Sequence, residues 1–199
     1  MELSGLAVAH VVLDTYPPDA FPSVLAVIGP GGNGGDGMVA ARHLASLGYE
    51  VSAYYPKRNS RPLYTNLAAS LVQMGVRLVE ALPPPSPTTV VIDAVFGFSF
   101  HPPLRTPFDE VLSALRDHAN VVAVDVPSGW AVDSGPPDGG PTVPYPDALV
   151  SLMAPKLCAR AFRGRSFLGK VIVPPAVAAE HGLVDASAFG PHQFVRLQS

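Results

Sequence analysis

The sequence predicts a three-layer α/β/α sandwich built on a mostly parallel sheet. Three observations carry that prediction. Short apolar runs alternate along the chain with longer segments whose apolar residues recur at helical spacing. Several of the short runs, VLAVI at 24–28, VVIDAVFG at 90–97 and VVAVDVPSG at 121–129, are almost continuously apolar, as strands covered on both faces must be. Polar residues gather where these runs end, on the edge where open α/β sheets hold ligands.

In chain order, residues 2–13 read as a first helix and 24–28 as a short buried strand. GMVAARHLASL at 37–47 has helical apolar spacing, and Gly48 stops it. EVSAYY at 50–55 is a second strand, and 63–74 a helix ending at Gly75. VRLV at 76–79 and TVVIDAVFG at 89–97 are the third and fourth strands. A helix follows over 107–117, with Pro107 near its start, where a missing N–H costs nothing. NVVAVDVPSG at 120–129, DALVSLMA at 147–154 and KVIVP at 170–174 complete a set of seven strands. Prolines cluster at 83–87, 102–107 and 136–146 and mark rigid loops.

With 199 residues, 48% of them hydrophobic, the chain suits a single domain over 1–199 with a proper core. A net charge of −3 and no long basic run argue against nucleic acid as a partner. One cysteine, Cys158, cannot form an internal bridge, which favours an intracellular setting, cytoplasmic or mitochondrial. Cys158 reads as a small buried hydrophobe. No stretch reaches 18 apolar residues free of charge and proline, so no membrane span is expected. The start, MELSGLAVAH, lacks a basic leader and reads as a helix rather than a signal peptide.

The most unusual stretch is GPGGNGGDG at 29–37, six glycines in nine residues between a strand and a helix. A turn needs one or two, so this loop reads as backbone shaped for close approach of a ligand. Gly29, Gly31 and Gly34 match the G-x-G-x-x-G spacing of Rossmann-like dinucleotide sites. The match is weak alone, and the second strand ends in YYPKRN instead of the acidic residue that binds ribose in ordinary dehydrogenases. A phosphate-binding P-loop is excluded because G-K-[ST] is absent.

Four strand ends carry chemistry: Asn33 and Asp36 after the first, Asp93 in the fourth, Asp125 and Ser128 after the fifth, Lys156 after the sixth. An Asp in such a place often caps the next helix, a reading that weighs about evenly for Asp36. Asp93 and Asp125 sit inside apolar runs, where an unpaired carboxylate is costly and calls for a cation, a lysine or a hydrogen-bonded ligand. Lys156 and Lys57 are the available lysines, each also readable as a surface residue. His43, within a helix, reads as structural.

Together GPGGNGGDGMVAARHL, VVIDAVFGFSF, VDVPSGW, SLMAPK and FLGKVIVPP resemble the YjeF N-terminal family, the NAD(P)HX epimerases, over nearly the whole chain. FGFSF and YYPKR are similar to the animal apolipoprotein A-I-binding form. The resemblance implies repair of damaged nicotinamide cofactor: interconversion of the R and S forms of 6-hydroxylated NADH and NADPH, so that an S-specific dehydratase can restore them. It implies a potassium ion and a homodimer. Carried over, Gly32, Asn33, Gly34, Gly35 and Asp36 hold the substrate. Gly97, Phe98, Ser99, Phe100, His101, Pro102 and Pro103, with Arg105 nearby, approach its phosphates. Asn33, Asp93 and Ser128 ligate potassium. Asp125 contacts the altered ring as acid/base, assisted by Lys156 or Lys57.

Two departures stand out. The family loop usually reads G-N-N-G-G-D-G, and Gly32 takes the place of its first Asn. The family normally also has several dozen residues, including a helix pair, before the segment matching MELSGLAVAH. The competing reading is a non-catalytic nucleotide-binding or protein-interaction module on the same fold.

Overall fold

The computed structural model describes residues 1–101, 103–137, 146–184 and 186–197. Pro102 of the expected phosphate loop, and 138–145 of the last proline cluster, lie outside the described residues.

Eight strands form one sheet: β1 (Ser23–Ile28), β2 (Glu50–Tyr54), β3 (Arg77–Val79), β4 (Thr89–Ala94), β5 (Asn120–Val124), β6 (Ala148–Leu152), β7 (Arg165–Gly169) and β8 (Phe194–Arg196). Their spatial order is β3-β2-β1-β4-β5-β6-β7-β8. All neighbours are parallel except β7 and β8. The helices are α1 (Glu2–Thr15), α2 (Gly32–Ser46), α3 (Pro62–Gln73), α4 (Phe108–Leu115) and α5 (Pro175–His181).

Alternation along each strand sends side chains to two faces. On one face Val24, Ala26, Ile28, Val90 and Ile92 pack with Val8, Val12, Met38, Leu44 and Leu71 of α1, α2 and α3. On the other, Leu25, Val27 and Val91 pack with Val111, Leu112 and Leu115 of α4. Further along that face Trp130, Cys158 and Phe162 cover Ala123 and Leu149. This is the α/β/α sandwich the sequence implies. Cys158 is the buried hydrophobe expected, and burial pushes its thiol pKa up. Each such fully buried aliphatic side chain contributes about 1.5–3 kcal/mol. No helix among the described residues is long and apolar enough to cross a membrane.

β1 lies between β2 and β4, so the strand order reverses there, and the crevice beyond their carboxyl ends is the topological switch point. Register brings Val27 level with Asp93, and Asp93 level with Ala123.

Two elements differ from expectation. α2 begins at Gly32, not at 37, so most of the glycine stretch is helix rather than loop. The cause is packing. A Cβ at position 34 would stand 1.9 Å from the carbonyl oxygen of Gly29, and one at 37 would stand 2.3 Å from the Ala94 Cβ. The glycines let the first turns of the helix lie flat on β1 and β4. The expected strand at 170–174 is not formed, and β7 is RSFLG at 165–169. KVIVP has the stronger β-propensity, but RSFLG pairs with β6 and buries Phe167 and Leu168, leaving Ile172 69% exposed. α5 and the antiparallel β8 have no counterpart in the sequence reading.

Candidate active site

The carboxyl ends of β1, β4, β5 and β6 converge on a cleft of about 740 Å³. Pro30 to Asn33 and Asp36 form one wall, and Val95 to His101 a second. Asp125 and the segment Leu152 to Lys156 form the floor and far side. A stacked pair, Phe96 on Phe100 with centroids 4.6 Å apart, stiffens the loop after β4. Phe98 is left 64% exposed at the mouth.

Asp125 is 5% exposed and has φ +70°, left-handed backbone unusual for a residue with a side chain. Its carboxylate pairs with the Lys156 ammonium through Oδ1. Oδ1 also accepts the Leu152 N–H at 3.2 Å, and Oδ2 accepts the Phe98 N–H at 3.3 Å. Lys156 Nζ donates in addition to the Leu152 carbonyl at 2.8 Å and lies 5.9 Å from the Phe98 ring centre. The floor of the cleft is therefore a carboxylate and an ammonium in contact, held by backbone groups from two strand ends. The sequence left the lysine open; Lys156 reaches Asp125, while Lys57 is exposed and outside the cleft.

Behind this floor Asp93 is completely buried. Its Oδ2 accepts the Ser128 N–H at 2.9 Å, and its Oδ1 accepts the Ser128 hydroxyl at 2.6 Å and the Val95 N–H at 3.3 Å. Ser128 Oγ in turn accepts the Phe96 N–H at 2.9 Å. Burial raises the Asp93 pKa from 3.8 to about 6, against the opposing hydrogen bonds. Asp36, in α2, is likewise raised to about 6, first by burial and then by the charge of Asp125, against the Met1 amino group at 3.6 Å.

Of the residues expected to touch substrate, Gly32, Asn33, Asp36, Gly97, Phe98, Ser99, Phe100, His101 and Asp125 line the cleft. Gly34 and Gly35 are buried in α2 instead, Gly34 turned against the Gly29 carbonyl and Gly35 against the Met1 and Tyr64 side chains. Pro103 and Arg105 are exposed outside the cleft. His43 pairs with Glu2 at 2.9 Å, as a structural residue does. The sequence reading missed Ser4, Met153 and Val171, which also line the cleft. Ser4 comes from α1 and Val171 from the segment after β7, and no local motif marks either. Met153 stands inside SLMAPK, and its place between a strand and Lys156 was the available signal.

Residues 1–158 match the family described as YjeF-related protein N-terminus. The chain belongs to the YjeF N-terminal family. Among YjeF N-terminal relatives it is 42% identical over 202 residues to the NAD(P)H-hydrate epimerase of Fusarium vanettenii, covering all of this chain and 86% of that one. It is 44% identical over 193 residues to the NAD(P)H-hydrate epimerase of Aspergillus fumigatus, covering 92% and 79%. It is also 44% identical over 212 residues to the chloroplastic pyridoxine/pyridoxamine 5'-phosphate oxidase 1 of Arabidopsis thaliana, of whose length it spans 40%. The crystal structure of yeast ynu0 (YNL200c) superposes with a TM-score of 0.89 at 34% identity, covering 99% of this chain and 88% of that one. In this YjeF N-terminal chain the fold does not require glycine at 32, since a Cβ there would meet nothing within 4 Å.

Proposed function

We propose that the chain is an NAD(P)H-hydrate epimerase, interconverting the R and S forms of 6-hydroxylated NADH and NADPH. The observation that carries this is the Asp125–Lys156 pair on the floor of a cleft at the switch point. The fungal relatives named for the same reaction support it. A volume of about 740 Å³ lies within the usual range for small-molecule sites.

The reacting carbon bears a hydroxyl and a ring nitrogen. Its configuration changes either by loss and return of water or by ring opening to an aldehyde and reclosure. Both routes move a proton to and from the hydroxyl oxygen, so both need one group that gives and takes it. Asp125 is that acid/base. Its two backbone N–H donors fix the carboxylate against the ring position, so little reorganisation is needed during reaction. Lys156 balances the buried charge and holds the carboxylate by direct contact. The exposed Phe98 ring stands at the mouth, 5.9 Å from the Lys156 ammonium.

Potassium is tested by the donors present. Among the described residues no group of three or more His, Cys, Asp or Glu side chains converges, which leaves no transition-metal cluster. An alkali cation asks for oxygens instead. Asp93 is buried with no ion-pair partner among the described residues, and Ser128 stands on it. The Asn33 amide nitrogen is buried without a partner among the described residues, and turning the amide presents its oxygen instead. Asn33, Asp93 and Ser128 offer oxygens of the kind an alkali cation takes; they would hold the ion, and it would supply compensating charge. A homodimer, coupling to an S-specific dehydratase, and a cytoplasmic or mitochondrial setting complete the proposal.

The test uses purified R-NADHX with an S-specific dehydratase, with and without potassium. Recovery of NADH faster than spontaneous epimerisation allows is the expected result. No acceleration in either condition overturns the reading.

A further inference from the structure

Asp125 and Met153 are the only non-glycine residues at positive φ among the described residues, at +70° and +68°. Each is the centre of a three-residue turn closed by an i→i+2 hydrogen bond. The Val126 N–H meets the Val124 carbonyl at 2.8 Å, and the Ala154 N–H meets the Leu152 carbonyl at 2.8 Å. γ-Turns of this hand are rare and strained. Here two of them stand at the ends of the paired neighbours β5 and β6.

They are wired to one another. The Asp125 N–H donates to the Val150 carbonyl at 2.8 Å. The Leu152 N–H donates to Asp125 Oδ1 at 3.2 Å, and the Leu152 carbonyl accepts Lys156 Nζ at 2.8 Å. Leu152 therefore grips the carboxylate with its N–H and the ammonium with its carbonyl. The direction of that carbonyl is set by the γ-turn whose central residue is Met153.

We infer that Met153 is a positioning residue for the acid/base pair, acting through its left-handed backbone and not through its side chain. The inference rests on the epimerase reading for its kinetic readout. Outside the γ-turn, a residue at 153 swings the Leu152 carbonyl away, and Lys156 loses one of its two acceptors. The role depends on tolerance of positive φ. That tolerance is high in Asn, lower in Ala, and lowest in β-branched Val.

The test is the series Met153→Asn, Met153→Ala and Met153→Val, read as kcat and KM for epimerisation. The expected result is a kcat at least tenfold lower in Met153→Val than in Met153→Asn, with Met153→Ala between and KM within twofold throughout. Equal kcat in Asn and Val variants overturns the inference, as does a loss confined to KM, which marks a side-chain contact with substrate. If Met153→Val does not fold, the Ala and Asn variants carry the same ordering. An activity-independent readout is the NMR signal of the Lys156 ammonium, assigned by its absence in Lys156→Arg. The signal is expected to shift in Met153→Ala and to return toward its wild-type position in Met153→Asn; identical positions in both variants overturn the inference. Variants whose signals shift as expected, in a protein whose wild type does not accelerate epimerisation, remove the epimerase reading and leave the positioning role standing.

Discussion

At the scale of single residues, Asp125 and Lys156 form one unit, and removing either member has a different signature. Asp125→Asn keeps the shape and, on the function proposed above, removes the proton carrier. It is expected to lower kcat by about 10²–10⁴, the usual worth of a positioned acid/base, with a small fall in thermal melt because the amide sets its nitrogen against a donor that the carboxylate accepted. Lys156→Met leaves a carboxylate only 7% exposed without its cation. It is expected to cost about 3 kcal/mol in denaturant unfolding as well as activity. Lys57→Ala, on an exposed side chain outside the cleft, should change neither measurement. Both acids and the lysine were legible as candidates, because charges inside VVIDAVFG and VVAVDVPSG demand partners. Which lysine pairs with Asp125 was not legible, since only the pairing of β5 with β6 brings Lys156 to Asp125. Gly32 is the second residue-scale case. Its Cβ direction is open, so Gly32→Asn fits and adds a donor to the cleft, beside the substrate on the function proposed above. One added hydrogen bond, worth about 0.5–1.5 kcal/mol, is expected to lower KM by about twofold to thirteenfold in steady-state assays.

At the scale of elements, α2 shows what a glycine-rich stretch can conceal. Six glycines suggested a loop, since local propensity speaks against helix there. The helix forms because its first turns lie against β1 and β4, and Gly34 and Gly37 permit the approach. Gly34→Ala puts a methyl 1.9 Å from a backbone carbonyl that cannot move without breaking the strand end. It is expected to destabilise the protein by about 3 kcal/mol or more, read from the denaturation midpoint, although alanine is the better helix former. A midpoint at or above wild type would show that α2 slides freely. β7 was misplaced for the converse reason. KVIVP is locally the better strand, but RSFLG has the neighbour. Periodicity located β1, β4, β5 and β6 well because burial on both faces writes an unmistakable apolar run. It failed at the edge, where β8 is three residues long and pairs antiparallel.

At the scale of the whole molecule, the alternation of strands and helices was enough to read the sandwich and to place every chemical residue on one edge of it. The reversal of strand order between β1 and β4 was not legible, because nothing local distinguishes a connection that turns left from one that turns right. That reversal opens the cleft, and the cleft draws Asp36 into partial burial beside Asp125. Its pKa rises from 3.8 to about 6, chiefly through lost hydration. Between these values the folded state binds more protons than the unfolded state, so stability falls as pH rises. The contribution is fully present below pH 3.8 and is lost as pH passes through about 6. The loss amounts to about 3 kcal/mol at 1.36 kcal/mol per unit. Asp36→Asn cannot ionise, so the stability difference between variant and wild type isolates this one group from every other titration. That difference is expected to be small near pH 4 and to grow in favour of the variant to a few kcal/mol by pH 7, measured by urea unfolding at each pH. A difference that stays constant would mean that the carboxylate is hydrated in the folded state. The predicted slope instead describes a site that keeps a charge beside Asp125 at the expense of the stability of the whole fold.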